Sequence, residues 1–317
     1  MNQIINEKKA GYYIKRIKGY FKSARLESVI VTTNFLLVGL YYSAGNLQLK
    51  DSFVGFFSIS LLVIAGSWQN YVFDIEVDKK AGKNIEFFKN ITPREMLLSS
   101  IIIGIIALVI LYSVDFYSFI LGDLEFIIFL FYAAPPLRFK NRYFFDFIAN
   151  GLVFGTLPFL IGFSLSNTVV QYNYLALSFI LGLLAGSYYL FISSFEIETD
   201  NKAGVKNACT FLGSSNTINV AIVIFFISMI SFLLFFSISN IIILVGFLIT
   251  APFVVFTRFA KKSRVLLFLV SLIFLFWNGS ISLLLSIFTM SILSIVLFLI
   301  IIIIIAAAVY TWMVTEV

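Results

Sequence analysis

The chain alternates between long apolar runs and short polar breaks along most of its length. A helix that crosses a bilayer needs about 20 consecutive apolar residues, and most of the runs approach that length. They predict ten candidate spanning helices, which are 28–46, 52–73, 96–114, 118–134, 144–165, 173–195, 217–237, 240–257, 265–286 and 289–312. Because the last four runs are the hardest to separate, the pattern predicts an all-α bundle of nine or ten transmembrane helices over residues 27–313.

Composition narrows the class of protein further. Of the 317 residues, 61% are hydrophobic and only 12% are charged, and the mean hydropathy is +1.03. These values exclude an ordinary soluble domain and indicate a polytopic membrane protein. The chain has no histidine and a single cysteine, Cys209. Histidine zinc ligands, histidine general bases and an internal disulfide are therefore excluded.

The first 26 residues are basic and rich in aromatic side chains. They do not have the short apolar run and small-residue cleavage site of a signal peptide, so we expect none here. Ile14, Ile17 and Phe21 fall on one helical stripe that lysine and arginine residues surround. This pattern predicts that residues 1–26 form an interfacial helix on an anionic cytoplasmic surface, with a disordered basic tail as the alternative.

Lysine and arginine lie almost entirely in alternate polar breaks of the chain. Of the 22 such residues, all but Lys50 fall within 1–26, 79–94, 138–142, 202–206 and 258–264. Because cytoplasmic loops collect lysine and arginine, we expect these breaks and the N-terminus on the cytoplasmic side of the cell membrane. The net charge of +6 follows from this asymmetry and does not indicate a nucleic-acid partner.

Two acidic motifs stand where an apolar run ends on this face. In the first, Asn70, Asp74 and Asp78 are four residues apart, and in the second Glu196 and Asp200 have the same spacing. On a helix that spacing stacks side chains on one face, so we call the two sets the first and second ladders. Oxygen ligands without histidine or cysteine suit Mg²⁺. Two facing ladders therefore predict two Mg²⁺ ions around a diphosphate.

The acidic residues between the ladder positions are predicted to have a different role. On an ideal helix Glu76 and Glu198 point away from the ladders, so we expect them in solvent or paired with lysine. The alternative for both motifs is a pair of ordinary charged loops at helix ends.

The two motifs also resemble each other. The pattern Ile-Glu-x-Asp-x-Lys-Ala-Gly begins at Ile75 and again at Ile197. Four predicted spans separate the copies and restore the same orientation, so an internal repeat with parallel topology is predicted over 70–84 and 196–207. Chance similarity of two acidic loops is the alternative.

A third element is the stretch Tyr132-Ala-Ala-Pro135-Pro136-Leu-Arg138-Phe-Lys140. Its two prolines are expected to end a helix at the membrane surface. Arginine binds phosphate oxygens as a fork, while lysine acts as a point charge. Beside two carboxylate ladders, Arg138 and Lys140 are predicted to form the cationic side of a diphosphate site. A loop that only sets orientation is the alternative.

Together these elements resemble the UbiA superfamily of intramembrane prenyltransferases over about residues 20–290. The first ladder is similar to the family motif N-x-x-x-D-x-x-x-D, and Tyr132 to Lys140 is similar to its Y-x-x-P-P-x-R-x-K stretch. The second ladder stands where the family carries D-x-x-x-D, and Arg25 stands where members often have arginine.

The resemblance implies about nine helices around a central cavity and Mg²⁺-dependent transfer of a prenyl group from a prenyl diphosphate to an acceptor, through an allylic carbocation. Fixed cations would stabilise the departing diphosphate, and a dry cavity would protect the carbocation. By position, the metal and catalytic set is Asn70, Asp74, Asp78, Glu196 and Asp200, and the diphosphate-binding set is Arg138, Lys140 and Lys202.

Further candidates for the cavity or the acceptor site are Arg25, Tyr132, Asp146, Asn150 and Tyr189. Asp146 and Asn150 are one helical turn apart at the start of the fifth predicted span. The alternative for Asp146 is a helix cap or an ion pair with Arg142. Tyr189 precedes Glu196 by about two turns of the same predicted face, and the alternative for it is packing within the bundle.

The chain departs from the family pattern in three places. Tyr71 follows the motif asparagine where many members have aspartate, and Glu196 replaces aspartate at the start of the second motif. The Arg-Pro-rich stretch that commonly follows the first motif is missing. These changes affect the prediction of the acceptor more than the prediction of the metal and diphosphate.

Three functions stay open from the residues and the resemblance. The first is a prenyltransferase acting on a quinone-precursor aromatic, a porphyrin-type ring or a glycerol lipid within the membrane. The second is a UbiA-related terpene cyclase, in which the carbocation attacks its own chain. The third is a carrier with acidic cytoplasmic gates, although transporters usually place their ion sites near the midplane.

Overall fold

The computed structural model describes residues 2–45, 47–80, 90–166, 171–236, 241–259 and 263–289, with three positions between 295 and 299. All regular secondary structure in these residues is helical. The helices are α1 (Asn2–Lys22), α2 (Leu26–Ala44), α3 (Leu49–Lys80), α4 (Pro93–Tyr112), α5 (Phe116–Ala133), α6 (Phe145–Leu165), α7 (Tyr172–Ser193), α8 (Ile197–Ala203), α9 (Ala208–Leu212), α10 (Ser214–Phe235), α11 (Ile241–Thr257) and α12 (Ser263–Thr289).

The helices agree with the hydropathy pattern. Nine of the ten predicted spans fall on α2–α7 and α10–α12, and the tenth, 289–312, lies almost wholly outside the described residues. Seven helices, α2–α7 and α10, are long and apolar enough to cross a membrane, and α11 is a shorter apolar helix. The prediction of a polytopic helical fold is confirmed. The choice between nine and ten spans, and the cytoplasmic N-terminus, stay predictions.

Apolar side chains cover the outer face of the bundle. On α4, for example, Ile102, Ile105 and Val109 are exposed, whereas Ser100, Gly104 and Ala107 face inward. An apolar exterior around an interior with small and polar residues is the arrangement expected of helices that face lipid. The membrane therefore supplies the environment that this outer surface requires.

Close backbone crossings hold the centre of the bundle together around α6. Its share of buried residues is 83%, the highest of the seven spans. A side chain at Gly162 would collide with the backbone oxygen of Leu36 on α2, and one at Gly155 would collide with that of Leu181 on α7. Glycine at these two positions lets α6 approach both neighbours, which brings the ends of α2, α6 and α7 into one site.

Helix α1 packs across the ends of α3 and α4. Arg16 forms an ion pair with Glu95 at 3.2 Å, Tyr20 bonds Ser99 at 3.2 Å, and its ring lies 4.9 Å from that of Trp68. The predicted stripe of Ile14, Ile17 and Phe21 is exposed. An apolar stripe directed away from the bundle suits the predicted interfacial helix, whose contact with lipid stays a prediction.

Candidate active site

A cavity of about 740 Å³ lies between the central helices and is polar at one end. The polar end is lined by residues at the end of α3 and by the segment that follows α7. Deeper in the bundle the lining becomes aromatic, with Phe35, Phe129, Phe154, Phe225 and Trp277. The cavity therefore offers a charged entrance and an apolar interior.

The first ladder has the predicted geometry, because α3 continues as one helix to Lys80. Asn70, Asp74 and Asp78 all line the cavity, and the two aspartates are 7% and 9% exposed. Glu76 points the other way, is exposed and pairs with Lys79 at 3.5 Å. The face of the helix thus separates the buried carboxylates from the solvated one.

The second ladder is built differently from the prediction. Helix α7 ends at Ser193, a turn follows, and Asp200 lies on the separate short helix α8. Glu196 and Asp200 remain one helical turn apart, since the amide of Asp200 donates to the carbonyl oxygen of Glu196 at 2.7 Å. Both line the cavity, so the two ladders face one space. Glu198 is exposed.

The break before α8 also alters the predicted repeat and the predicted position of Tyr189. The first copy of the repeated pattern belongs to a long helix, and the second to a short one that ends at Gly204 with φ 74°. Residues 81–89 of the first copy lie outside the described residues. Tyr189 is on α7 rather than on a continuous helix with Glu196, yet both side chains line the cavity.

The cationic segment folds back onto Asp74. After α5 ends at Ala133, Arg138 has a left-handed backbone with φ 40°, and residues 139–141 form one 3₁₀ turn. The Nη2 of Arg138 lies 3.3 Å from Oδ1 of Asp74, and the ammonium of Lys140 contacts the same oxygen. Lys140 also lies 3.4 Å from Oδ1 of Asn70. Two of the predicted diphosphate-binding cations, Arg138 and Lys140, therefore form one cluster with Asn70 and Asp74 of the first ladder.

The predicted cations differ in their access to the cavity. Lys140 and Arg25 line it, whereas Arg138 reaches Asp74 from behind the lining. Lys202 is exposed on α8 and does not line the cavity, so its contact with diphosphate stays a prediction. Arg142 donates to the carbonyl oxygens of Leu137 and Pro136, which holds the turn after α5 closed.

Arg25 explains the departure at Tyr71. Its guanidinium carbon lies 5.0 Å from the centre of the Tyr71 ring, a cation–π contact, and both side chains line the cavity. Glu27 and Glu196 lie within electrostatic range of the same guanidinium. Tyrosine in place of the family aspartate therefore supports a cation at the polar end without adding a negative charge.

Tyr132, Tyr189 and Asp146 form one hydrogen-bonded chain. The hydroxyl of Tyr132 donates to that of Tyr189 at 3.4 Å, and Tyr189 donates to Oδ2 of Asp146 at 3.3 Å. Both tyrosines and Asn150 line the cavity, and Asp146 lies behind them. The suggested ion pair of Asp146 with Arg142 is wrong, because Arg142 bonds the turn and Asp146 instead accepts from the amide of Ala208.

The oxygen donors suit a metal that shares its ligands with a substrate. Among the described residues, no three carboxylate or thiol groups come together closely enough to hold a metal ion by themselves. Arg138 and Lys140 both contact Oδ1 of Asp74. Mg²⁺ typically takes one or two carboxylates together with phosphate oxygens and water, so the arrangement fits this ion.

The structure adds residues to the cavity that the sequence pattern does not single out. Asn207 donates to Oδ2 of Asp200 at 2.8 Å and also caps α9, so it ties Asp200 of the second ladder to the start of α9. Thr250 and Asn278 are polar residues that line the cavity from α11 and α12. In the sequence, each is marked only as a polar residue within a long apolar run. Polar residues in such runs usually face the bundle interior.

Comparison with known families settles the relationship that the motifs suggest. The sequence model of the UbiA prenyltransferase family matches residues 32–266, which is well over half of the chain. The chain belongs to the UbiA prenyltransferase family. This confirms the predicted resemblance, and with it the predicted class of enzyme.

Individual relatives of this UbiA-family chain are more distant. A lycopene elongase/hydratase from Haloarcula japonica is 40% identical over 88 residues, which is 27% of this chain and 28% of that relative. A solved UbiA homolog from Archaeoglobus fulgidus, bound to GPP and Mg²⁺, is 20% identical with a TM-score of 0.65, and covers 83% of this chain and 99% of its own. A digeranylgeranylglyceryl phosphate synthase structure is 18% identical with a TM-score of 0.60, over 84% and 99%. At these identities the two structures show a shared fold.

Proposed function

We propose that this UbiA-family protein is a multi-pass enzyme of the cell membrane that transfers a prenyl group from a prenyl diphosphate to a membrane-soluble acceptor. The observation that carries the proposal is the single cavity that joins buried carboxylates and cations to an aromatic interior. A prenyl diphosphate has the same division, with a charged head and an apolar tail. We place the polar end at the cytoplasmic face, because the lysine and arginine residues collect there.

The two ladders are the proposed metal site. Asn70, Asp74, Asp78, Glu196 and Asp200 would hold Mg²⁺, as two ions, together with the diphosphate oxygens. When bound, Mg²⁺ would offset the negative charge that develops on the diphosphate as the C–O bond breaks. A UbiA homolog solved with GPP and Mg²⁺ supports this choice of ligand and metal.

Cationic side chains would bind the same diphosphate from the other side. Lys140 lines the cavity and is fixed between Asn70 and Asp74, so its ammonium is oriented before substrate arrives. Arg25 is held by Tyr71 at the same polar end. Donors that are preorganised where charge develops stabilise a leaving group without having to reorganise during the reaction. Arg138 would act through Asp74, and Lys202 would reach the diphosphate only by bending over α8.

The apolar interior would bind the prenyl tail and exclude water from the carbocation. Along α3 the lining runs from Asp78 to Gly66, roughly 18 Å at 1.5 Å per residue. Each CH₂ group that moves from water into such a space contributes about 0.8 kcal/mol. Phe129 and Phe154 line this interior, and aromatic faces can stabilise a cation.

The acceptor is proposed as an aromatic quinone precursor or a glycerol lipid. The fold shared with a digeranylgeranylglyceryl phosphate synthase supports the lipid class. The segment that is 40% identical to a lycopene elongase/hydratase adds a polyene hydrocarbon as a further acceptor class. The apolar interior can accommodate the hydrocarbon part of any of them.

Product analysis tests the proposal. Purified protein in lipid nanodiscs would be given donors from dimethylallyl to geranylgeranyl diphosphate, with Mg²⁺ or EDTA. Each mixture would contain a hydroxybenzoate, a prenylated glycerol phosphate, lycopene or no acceptor. We expect Mg²⁺-dependent release of diphosphate and a prenylated product whose mass identifies the acceptor. A cyclised hydrocarbon without acceptor would indicate a cyclase, and no release from any donor by folded protein would favour a carrier.

A further inference from the structure

The hydrogen bonds that join Tyr132, Tyr189 and Asp146 all run in one direction. Tyr132 donates to Tyr189, and Tyr189 donates to Oδ2 of Asp146, so each proton points from the cavity toward the carboxylate. Both O···O separations exceed 3.2 Å, longer than a typical O–H···O bond. Catalytic hydrogen bonds are often long without substrate and tighten when it binds.

Asp146 is unusual among the carboxylates of the site. It is 0% exposed, its Oδ1 has no hydrogen-bond partner, and no described lysine or arginine forms an ion pair with it. Asp74, by contrast, is held by Lys140 and Arg138. A cation beside a carboxylate opposes its protonation. Asp146 can therefore accept a proton more readily than Asp74 can.

We propose that Tyr132, Tyr189 and Asp146 form a proton relay that removes the proton which the acceptor must lose when it is prenylated. The inference rests on the proposed function and concerns the second half of the reaction, after the diphosphate has left. The two tyrosines line the cavity where an acceptor would meet the prenyl group. Asp146 acts through them and is the final proton acceptor.

The proposed step balances. The C–O bond of the donor breaks and its electron pair leaves on the diphosphate, and an electron pair of the acceptor forms the new bond to the prenyl carbon. The acceptor then carries one proton too many. That proton passes to the Tyr132 oxygen, the Tyr132 proton passes to Tyr189, and the Tyr189 proton passes to Oδ2 of Asp146. The products are the prenylated acceptor, diphosphate and a neutral Asp146 carboxyl.

A purely structural role for Asp146 is the competing explanation. Its Oδ2 also accepts from the amide of Ala208 at 3.1 Å, which fixes the start of α9 against α6. Asp146→Asn separates the two roles, because an amide oxygen still accepts that bond but the group no longer takes up a proton. Tyr189→Phe and Tyr132→Phe each interrupt the chain while keeping the ring.

The test compares three products of the same reaction. Wild type and the three variants would receive geranyl diphosphate, Mg²⁺ and the panel of hydroxybenzoate, prenylated glycerol phosphate and lycopene. Diphosphate release, prenylated acceptor and geraniol would each be quantified, and folding would be checked by thermal unfolding. Tyr174→Phe is the matched control, since Tyr174 is on the same helix and packs on Phe163 at 4.7 Å, away from the cavity.

We expect all three variants to release diphosphate within a few-fold of wild type. Prenylated acceptor should fall by about 10²-fold, the usual contribution of a positioned base, and the ratio of geraniol to prenylated product should rise. Asp146→Glu should recover part of the transfer, and Tyr174→Phe should match wild type.

Each other outcome counts against a specific claim. Unchanged transfer in Asp146→Asn overturns the relay. A parallel fall of diphosphate release and transfer in folded variants also overturns it, because the residues would then act in ionisation. Failure of the wild type to release diphosphate, or to prenylate any acceptor in the panel, contradicts the proposed function itself and is visible without any variant.

Discussion

The ammonium group of Lys140 lies against Oδ1 of Asp74, although the two residues belong to different parts of the chain. Both side chains are about nine-tenths buried, at 10% and 9% exposure. The contact joins the first acidic ladder to the segment that follows α5 and gives the polar end of the cavity its charge balance. A buried pair of this kind depends on both partners, since removal of one leaves the other charge uncompensated.

Loss of the Lys140 charge should therefore weaken both donor binding and ionisation. For Lys140→Met we expect Mg²⁺-dependent diphosphate release to fall at least about 10²-fold, because a preorganised cation at the leaving group is removed. Lys140→Arg should retain more activity than Lys140→Met. Lys79→Met is the control, since Lys79 is exposed and pairs with the exposed Glu76. Equal activity of Lys140→Met and Lys79→Met would contradict the assignment.

The side chain of Tyr71 should support Arg25 in two ways, because its ring lies against the guanidinium and its hydroxyl forms a hydrogen bond with it. Tyr71→Phe keeps a face for the guanidinium and loses only the hydrogen bond, so it should raise the KM for the donor less than Tyr71→Ala does. Tyr71→Ala removes the cation–π contact, worth about 0.5–1 kcal/mol or more, and should raise that KM about two- to fivefold. Steady-state kinetics of diphosphate release measures both. Equal KM values for the two variants would show that the ring does not position Arg25.

The thiol of Cys209 should be unreactive in the folded protein. Burial, together with the negative charges of Asp146 and Asp200, raises the pKa of Cys209 to about 12. The thiolate is the reactive form, and a pKa of about 12 in place of the ordinary 9.0 lowers the thiolate fraction at pH 8 about 10³-fold. Labelling should increase only as pH approaches the raised pKa. Mass spectrometry after treatment with a water-soluble maleimide, with and without denaturant, checks this expectation. Rapid labelling of folded protein would contradict the packing around α9.

The sequence predicts the spans and the first ladder well because both depend on local properties. Hydropathy over a run of residues does not depend on how helices pack. The opposite directions of Asp74 and Glu76 follow from the period of a helix that continues without interruption to Lys80. The same helical period does not apply from Tyr189 to Glu196, because α7 ends between them. No proline or glycine marks this break in the sequence.

Contacts between distant parts of the chain could not be predicted in the same way. Sequence distance suggests Arg142 only as an alternative partner of Asp146, and a left-handed residue between them, Phe144 with φ 65°, turns the chain before α6 begins. Tertiary packing then brings Asp146 to Tyr189. Likewise, the sequence shows Tyr71 only as a departure from the family motif. The contact of Arg25 with its ring, which accounts for a tyrosine at this position, appears only in the structure.

One comparison within α3 tests the central claim most directly. Asp74 faces the cavity and Glu76 faces solvent, so Asp74→Asn and Glu76→Gln are matched losses of one carboxylate from the same motif. Diphosphate release from geranyl diphosphate with Mg²⁺ would be measured for both variants and wild type. We predict that Asp74→Asn lowers the rate by about 10²-fold or more and that Glu76→Gln stays within twofold. Equal rates for the two variants, or release that persists in EDTA, would contradict a metal-dependent prenyl diphosphate site in this cavity.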